Sequence, residues 1–277
     1  MRYFVRVFYE GANYFGYQRQ SSVFTIEETL INALEATNHI LSPQKNRFIS
    51  ASRTDKNVNA IGNVIGFNSE KEIIIDQINA KLPSDNSIVC WSYSIVEDDF
   101  SPKHSLKKKY WYLVKKELFE DKTETTIQEI QKICSFFEGQ NDYKLFCKKD
   151  HRNTVREIEK INILKEKDYL IFEFIAQSFL WEQVRRIVGY ITNYWKLSEE
   201  LRDTKKLLQG STEITNLNIQ PAEPENLILI EHFYEGLEWI ISQRAIMIIK
   251  DKINTALRKI EQEEIQKRTV FRYIEGL

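Results

Sequence analysis

Apolar and polar positions alternate with a period of two over residues 2–9 and again over 61–68, each run bounded by turn-forming residues. That alternation, with its β-branched and aromatic content, predicts strands. Thr25 and Glu28 form a capping-box pattern ahead of Ile26, Leu30, Leu34 and Leu41, so a helix is expected to begin near Thr25. A strand around 47–52, a short helix near 74–81 and strands near 87–96 and 108–115 complete the first part of the chain. Strand, helix, strand, strand, short helix, strand is the order of a split βαβ unit with an antiparallel component.

The polar stretch from Glu117 to Glu124 reads as a hinge. Beyond it the same style returns: a helix near 126–138, strands near 154–165 and 168–176, helices near 179–195 and 199–209, and a strand near 226–234. The organisation expected is therefore a half over residues 1–118, a second over 119–236, and a helical extension over 237–277. Two α+β halves with joined sheets leave a cleft between them, a usual place for a site. No sequence repeat supports this symmetry, which rests on element order. In the extension, Ile241, Ala245, Ile249, Ile253, Leu257 and Ile260 recur at helical spacing among charges of mixed sign. This favours a helix packed on the body or at a dimer interface over an RNA-binding arm.

Composition narrows the class without choosing a function. The 277 residues, 42% of them hydrophobic, suit a globular protein with a sizeable core. No apolar run approaches the ~18 residues of a membrane span, and Met1-Arg2-Tyr3-Phe4 runs straight into strand-like sequence, so neither a membrane segment nor a targeting peptide is expected. Cys90, Cys134 and Cys147 are an odd set without metal-ligand spacing, which points to core thiols in a reducing, cytoplasmic setting. Cys147 and His151 lie four apart, but the intervening residues show no helical pattern, and a thiol mechanism is disfavoured. A net charge of −1 excludes a generic polycation, so any contact with nucleic acid must come from a local patch.

One loop carries candidate chemistry. Ser52-Arg53-Thr54-Asp55-Lys56-Asn57-Val58-Asn59-Ala60 falls between two expected strands, where a rigid sheet can present a reactive group. By themselves Arg53 and Asp55 read as well as turn formers. Three further blocks stand out: Tyr9-Glu10-Gly11 through Gln18-Arg19-Gln20; Phe100-Ser101-Pro102-Lys103 followed by Lys109-Tyr110-Trp111-Tyr112; and Phe179-Leu180-Trp181-Glu182-Gln183-Val184-Arg185 through Gly189.

These four blocks, in this order, resemble the motifs of the tRNA pseudouridine synthase A family. Its loop reads Gly-Arg-Thr-Asp-Ala-Gly-Val-His-Ala, and its other blocks read Tyr-Asp-Gly…Phe-x-Gly-Trp-Gln-x-Gln, Phe-x-x-Arg…Arg-x-Tyr-x-Tyr and Phe-x-x-x-Met-Val-Arg-x-Ile-x-Gly. The resemblance covers roughly residues 3 to 235, with the third block matched one residue short. It implies an α+β protein with the pseudouridine synthase fold: two related ferredoxin-like halves, a joined and mainly antiparallel sheet, and a central cleft. It implies an isomerase that needs no cofactor and no metal and that converts uridine to pseudouridine in tRNA, in the anticodon stem-loop around positions 38–40, as a cytoplasmic homodimer. Alternatives are the same isomerisation at another tRNA position or in another structured RNA, or a catalytically weak RNA-binding protein.

The isomerisation cleaves a glycosidic bond, turns the base and rejoins it through carbon 5, with nothing oxidised and nothing imported. The chain accordingly shows no phosphate-cradling glycine loop and no Cys/His metal cluster. It needs an ionised carboxylate, and the resemblance assigns that role to Asp55. Burial would neutralise such a group unless a cation paired with it, and Arg185 is the matching partner. Arg185 sits at the margin of an apolar helical stripe formed by Leu180, Val184, Ile187, Val188, Ile191 and Trp195. Tyr110 matches the base-stacking tyrosine, with Tyr112 as the competing register. Gln18, Arg53, Lys103, Lys107, Lys108 and Lys109 are the expected substrate-binding residues, within a wider basic and aromatic cluster. The chain departs from the family at Lys56-Asn57, Asn59, Tyr17 and Lys103. Asn57 is the best substitute for a glycine at positive φ.

Overall fold

The computed structural model describes residues 1–119, 125–148, 153–209 and 218–275. In chain order its elements are β1 (Arg2–Tyr9), α1 (Ile26–Ala36), β2 (Ile49–Ser50), β3 (Asn59–Asn68), α2 (Ile75–Asn79), β4 (Ile88–Val96) and β5 (Lys107–Lys115). There follow α3 (Thr125–Phe136), β6 (Gly139–Asp142), β7 (Val155–Lys165), β8 (Tyr169–Ala176), α4 (Gln183–Asn193), α5 (Glu199–Arg202), α6 (Thr204–Leu208), β9 (Leu227–Phe233), β10 (Ile240–Ile241) and α7 (Gln243–Glu275). No described helix is long and apolar enough to cross a membrane.

Among the described residues ten strands form one sheet in the order β10-β4-β1-β3-β9-β5-β8-β7-β6, with β2 paired to β3. It is an α+β arrangement and mainly antiparallel. The one parallel pairing among the described strands is β3 with β9, through Asn59↔Ile228 and Ala60↔Leu229. β5 precedes residue 118 in the chain, yet it pairs with β8 and β9, both of which follow it. The centre of the sheet is thus built from strands distant in sequence. The sheet is covered on both faces. Tyr3, Val5 and Val7 enter the main core, while Phe4 joins Ala51 and Val64 in a smaller cluster on the other side. Coverage on both faces explains why nearly all of β1 is buried despite its alternating pattern.

Local signals explain most boundaries. The Thr25 hydroxyl accepts the Glu28 N–H and starts α1, whose Ile26, Leu30 and Leu34 are buried. Leu41 lies beyond the end of that helix and is exposed. The expected helix over 179–195 starts only at Gln183, because Glu182 turns the chain at φ +61°. The helix near 199–209 divides into α5 and α6 at Asp203, whose carboxylate caps Lys206 N–H. β6 is an edge strand of polar residues that no alternation announced. Within the expected hinge, Lys116–Phe119 form a short 3-10 turn, and residues 120–124 lie outside the described residues. In the tail, Ile241 belongs to β10 and the helix begins at Gln243. α7 rests on the body through Ala245 and the Lys252–Glu10 ion pair, and from Ile253 onward every described residue is exposed.

The seam between β3 and β9 is tight. A Cβ on Gly62 would stand 2.6 Å from the Ile230 carbonyl oxygen. Gly62→Ala is therefore expected to cost roughly 1–3 kcal/mol through overpacking, lowering the midpoint by about 2–4 °C per kcal/mol. Differential scanning calorimetry checks this, and an unchanged midpoint would mean that the seam can widen freely.

Candidate active site

The loop after β2 is held from three sides. Tyr9 Oη and Thr54 Oγ1 lie 2.8 Å apart, Tyr17 N–H donates to Thr54 O at 3.1 Å, and Asn63 Nδ2 donates to Ser52 O at 3.1 Å. The turn after β1 closes the third side: Gly11 N–H donates to Asn59 Oδ1 at 2.9 Å, and a Cβ on Gly11 would stand 2.4 Å from Val58 O. Only a glycine permits that approach. Asn57 takes φ +69° and reaches Glu225 with its side-chain amide. These contacts fix the backbone on both sides of Asp55.

Arg185 is fixed just as firmly from the other side. Its Nε donates to Ala222 O at 2.8 Å, and its own carbonyl accepts Ala222 N–H at 2.9 Å. One turn later, a Cβ on Gly189 would meet Gln220 O at 2.2 Å, so the glycine lets α4 lie directly on the 220–222 strap. Arg186 adds a bond to Ile219 O and a two-pronged pair with Glu182 at 3.0 and 2.7 Å. Thus held, Arg185 Nη1 donates to Asp55 Oδ2 at 2.9 Å. The side chains are 12% and 27% exposed, enough burial to strengthen the pair while leaving the carboxylate reachable.

Tyr110 borders the same cleft, packed edge-to-face on Phe179 at 5.3 Å. Burial pushes its phenol up to about 12, offset in part by a hydrogen bond with Ser52 and reinforced by the Asp55 charge. It is therefore a neutral hydroxyl near pH 7. Tyr112 lies on the same strand face two residues further along, and its hydroxyl donates to Glu223 O at 2.9 Å, outside the cleft lining. Of the two registers, Tyr110 is the one the cleft contains.

The basic residues separate. Gln18, Arg53, Lys103 and Lys108 line the cleft, which holds about 680 Å³. Arg53 and Lys103 extend into it with no side-chain partner among the described residues. Lys107 and Lys109 do not line it: they point to the opposite face of β5, where Lys107 pairs with Glu159 at 2.6 Å and Lys109 with Glu173 at 3.5 Å. Neighbours on a strand face opposite ways, so the expected three-lysine patch is divided by the pleat. Reading the run 107–109 as one charged surface missed that period. His151 lies outside the described residues. Among the described residues no cluster of His, Cys, Asp or Glu is placed to hold a metal.

Two lining residues, Trp181 and Arg156, carried no role in the sequence reading, and Lys56 was expected only as part of the wider basic cluster. Trp181 Nε1 donates to Asp55 Oδ1 at 2.9 Å, and its place four residues before Arg185 was the available signal. Lys56 lies 4.5 Å over the Phe15 ring, and Arg156 enters from the start of β7. Among the described residues, Arg53, Lys56, Lys103, Lys108, Arg156 and Arg185 face two lining carboxylates, Asp55 and Glu182. A chain of net charge −1 thus presents a positive cleft.

Known proteins resemble this chain in sequence. A family model described as tRNA pseudouridine synthase matches residues 133–235, the segment carrying β7, β8, α4 and β9. The chain is 33% identical over 266 residues to the tRNA pseudouridine synthase A of Pyrococcus abyssi, covering 94% of each. It is 33% identical to that of Pyrococcus horikoshii (96% and 95% covered) and 34% identical to that of Thermococcus kodakarensis (86% of each). The chain belongs to the tRNA pseudouridine synthase A family. With that family it is an RNA pseudouridine synthase, an isomerase. Among solved structures, a chain of a Cbf5–Nop10–Gar1 complex aligns with 68% of this chain and 43% of its own, at 12% identity and a TM-score of 0.34.

Against the family motifs, the departures take structural duties. Asn57 occupies the left-handed conformation that the family's glycine suits. Asn59, where the family has His, accepts the Gly11 N–H. Tyr17, where it has Trp, donates from its buried hydroxyl to Ser50 Oγ at 2.7 Å.

Lys108 gives a pH signature. Its ammonium donates to Ala51 O and Ser52 Oγ, both at 3.2 Å, tying β5 to the Asp55 loop. Burial, with Lys103 nearby, lowers its pKa from 10.5 to about 8. Between these values the unfolded chain binds a proton that the folded chain does not, so stability rises with pH in that window. Relative to Lys108→Gln, the wild type is expected to gain stability between pH 7 and 9.5, by at most about 2 kcal/mol. Urea midpoints at the two pH values measure this, and a constant difference would contradict the buried position.

Proposed function

We propose that this protein isomerises uridine to pseudouridine in tRNA, with Asp55 as the reacting carboxylate. The observation that carries the reading is the 2.9 Å Asp55–Arg185 contact, which joins a loop and a helix 130 residues apart inside a positive cleft. Arg185 pairs with the carboxylate and aims it, while Trp181 leaves the face toward Tyr110 for a flipped uridine. Tyr110 supports the base on its ring, and its neutral hydroxyl can pass a proton at carbon 5 once the base has turned and rejoined. Nothing in this sequence of steps requires a cofactor or metal.

Arg53, Lys103 and Lys108, with Gln18, hold the RNA backbone at the rim; the chain's tRNA pseudouridine synthase A relatives support tRNA as the RNA. Uridines of the anticodon stem-loop, positions 38–40, are the proposed targets, and the active form is proposed to be a cytoplasmic homodimer of chains with halves 1–118 and 119–236 and an extension over 237–277. Pseudouridine mapping in tRNA from cells with and without the protein tests substrate and position together.

Asp55→Asn keeps the size of the side chain and removes its charge. Single-turnover pseudouridine formation is expected to fall to background while tRNA affinity stays within about threefold. Arg185→Ala should lose turnover by about a hundredfold or more, with a smaller change in affinity. Appreciable product from Asp55→Asn would remove the assigned role.

The divided lysines give a second test. Arg53→Gln and Lys103→Gln should each weaken binding and lower the slope of log affinity against log salt by roughly 0.7–0.9. Lys107→Gln and Lys109→Gln should leave that slope unchanged, since both ammonium groups are paired on the other face. Equal effects from all four would place RNA on both faces of β5.

A further inference from the structure

The outer part of α7 leaves the body. Behind it, Ala245 is buried and Lys252 pairs with Glu10 at 3.0 Å, whereas from Ile253 onward every described residue is exposed. Alternating spacings of three and four place Leu257, Ile260, Glu264, Lys267, Phe271 and Ile274 along one side of this projecting helix. The four apolar members of that stripe are 58–61% exposed. Scattered exposed hydrophobics are ordinary, but a continuous stripe marks a surface that packs against something.

The stripe is complementary to itself in one arrangement. Its two ends are apolar and its middle is charged. In an antiparallel pair centred between Ile265 and Gln266, Leu257 meets Ile274 of the second copy, Ile260 meets Phe271, and Glu264 meets Lys267, each pairing occurring twice. At the flank, Glu261 faces Arg268 of the second copy. Other arrangements fail on charge. A parallel pair sets Glu264 beside Glu264 and Lys267 beside Lys267. Sliding the antiparallel pair by one heptad sets Glu264 against Ile274 and Lys267 against Phe271. Polar positions inside a helix pair commonly specify orientation and register in this way.

The charged groups are free to pair. Both Arg268 contacts to Glu264 fall on Oε1, which leaves Oε2, and Lys267 has no ion-pair partner among the described residues. An arm for RNA would keep its middle basic, yet Glu261, Glu263 and Glu264 stand there. Four apolar side chains from each copy, with the stems of Glu264 and Lys267, cover roughly 1,200 Å² in all, the lower end for a specific interface. The paired stretch spans roughly 26 Å at 1.5 Å per residue. It excludes the residues that α7 spends on its own body, so each body lies past the end of the pair.

We infer that the outer part of α7 pairs antiparallel with the same segment of a second copy of this chain, in the register set by Glu264 and Lys267. This rests on the homodimer proposed above and assigns it a surface.

Sedimentation velocity on the RNA-free full chain tests it, over about 1–100 µM because an interface of this size reaches micromolar affinity. The wild type should pass from monomer to dimer with concentration. Phe271→Glu, whose side chain already faces water in the single chain, should stay monomeric with an unchanged circular dichroism spectrum. Glu264→Lys and Lys267→Glu should each raise the dissociation constant about tenfold or more, since each sets like charges together twice. The double variant Glu264→Lys/Lys267→Glu should return to within about threefold of the wild type, and an equimolar mixture of the two single variants should form a mixed dimer. A dimer indifferent to Phe271→Glu would overturn the inference while leaving the homodimer to another surface. Weakened single variants without recovery in the double variant would overturn the antiparallel register. A wild type monomeric throughout would remove the homodimer as well, and if its tRNA affinity then fell in Phe271→Glu, the stripe would be an RNA contact instead.

Discussion

The Asp55–Arg185 ion pair is the constraint around which the rest of the molecule is arranged. A charge pair at this depth is useful only if neither partner can drift, because each charge left alone would be costly to keep out of water. The two partners lie 130 residues apart in the chain. Each is therefore held by its own set of backbone contacts rather than by the other. Gly11, Tyr9, Tyr17 and Asn63 hold the loop, and Ala222 and Gly189 hold the helix. The pairing of β3 with β9 brings the two sets together, since β3 follows the Asp55 loop and β9 follows the strap under Arg185.

Charge is organised by position rather than by amount. The chain has nearly as many acidic as basic residues. The cleft is positive because, among the described residues, most lining cations have no carboxylate partner, while cations elsewhere on β5 are paired. A polyanion approaching such a surface meets an attractive field at the site and a screened, mixed surface elsewhere. Net charge alone would have argued against nucleic acid.

Much of this was legible in the sequence, and the limits of legibility have physical causes. Period-two runs gave β1 and β3, strands were also expected where β4, β5, β7, β8 and β9 lie, and the Thr25–Glu28 pattern gave the start of α1. Local patterns could not give β6, whose polar residues pair through backbone alone, or the turn at Glu182, which depends on Arg186 and Lys148 from outside the turn. Nor could they show that β5 and β9 lie side by side, because pairing between distant strands leaves no mark on either one. At the site, Asp55, Tyr110 and Arg185 were named as candidates and expected to meet, and the structure brings them to one cleft. The lysine run shows the opposite case. It was read as a patch because its charge is local in sequence, yet the strand period that predicted β5 also sends Lys108 to one face and Lys107 and Lys109 to the other.

The departures from the family motifs follow the same logic. Asn57, Asn59 and Tyr17 replace glycine, histidine and tryptophan, and all three make bonds that stiffen the Asp55 loop or its supports. Asn57 also ties the loop to Glu225, on the segment that carries Ala222. A glycine there would supply the same positive φ without that tie. The substitutions therefore leave the geometry of the Asp55–Arg185 pair in place and change how the two sides are braced against each other. Differences in which RNA this protein accepts should then arise at the rim, where Lys103 stands in place of the family's arginine and offers a phosphate a point charge instead of a planar fork.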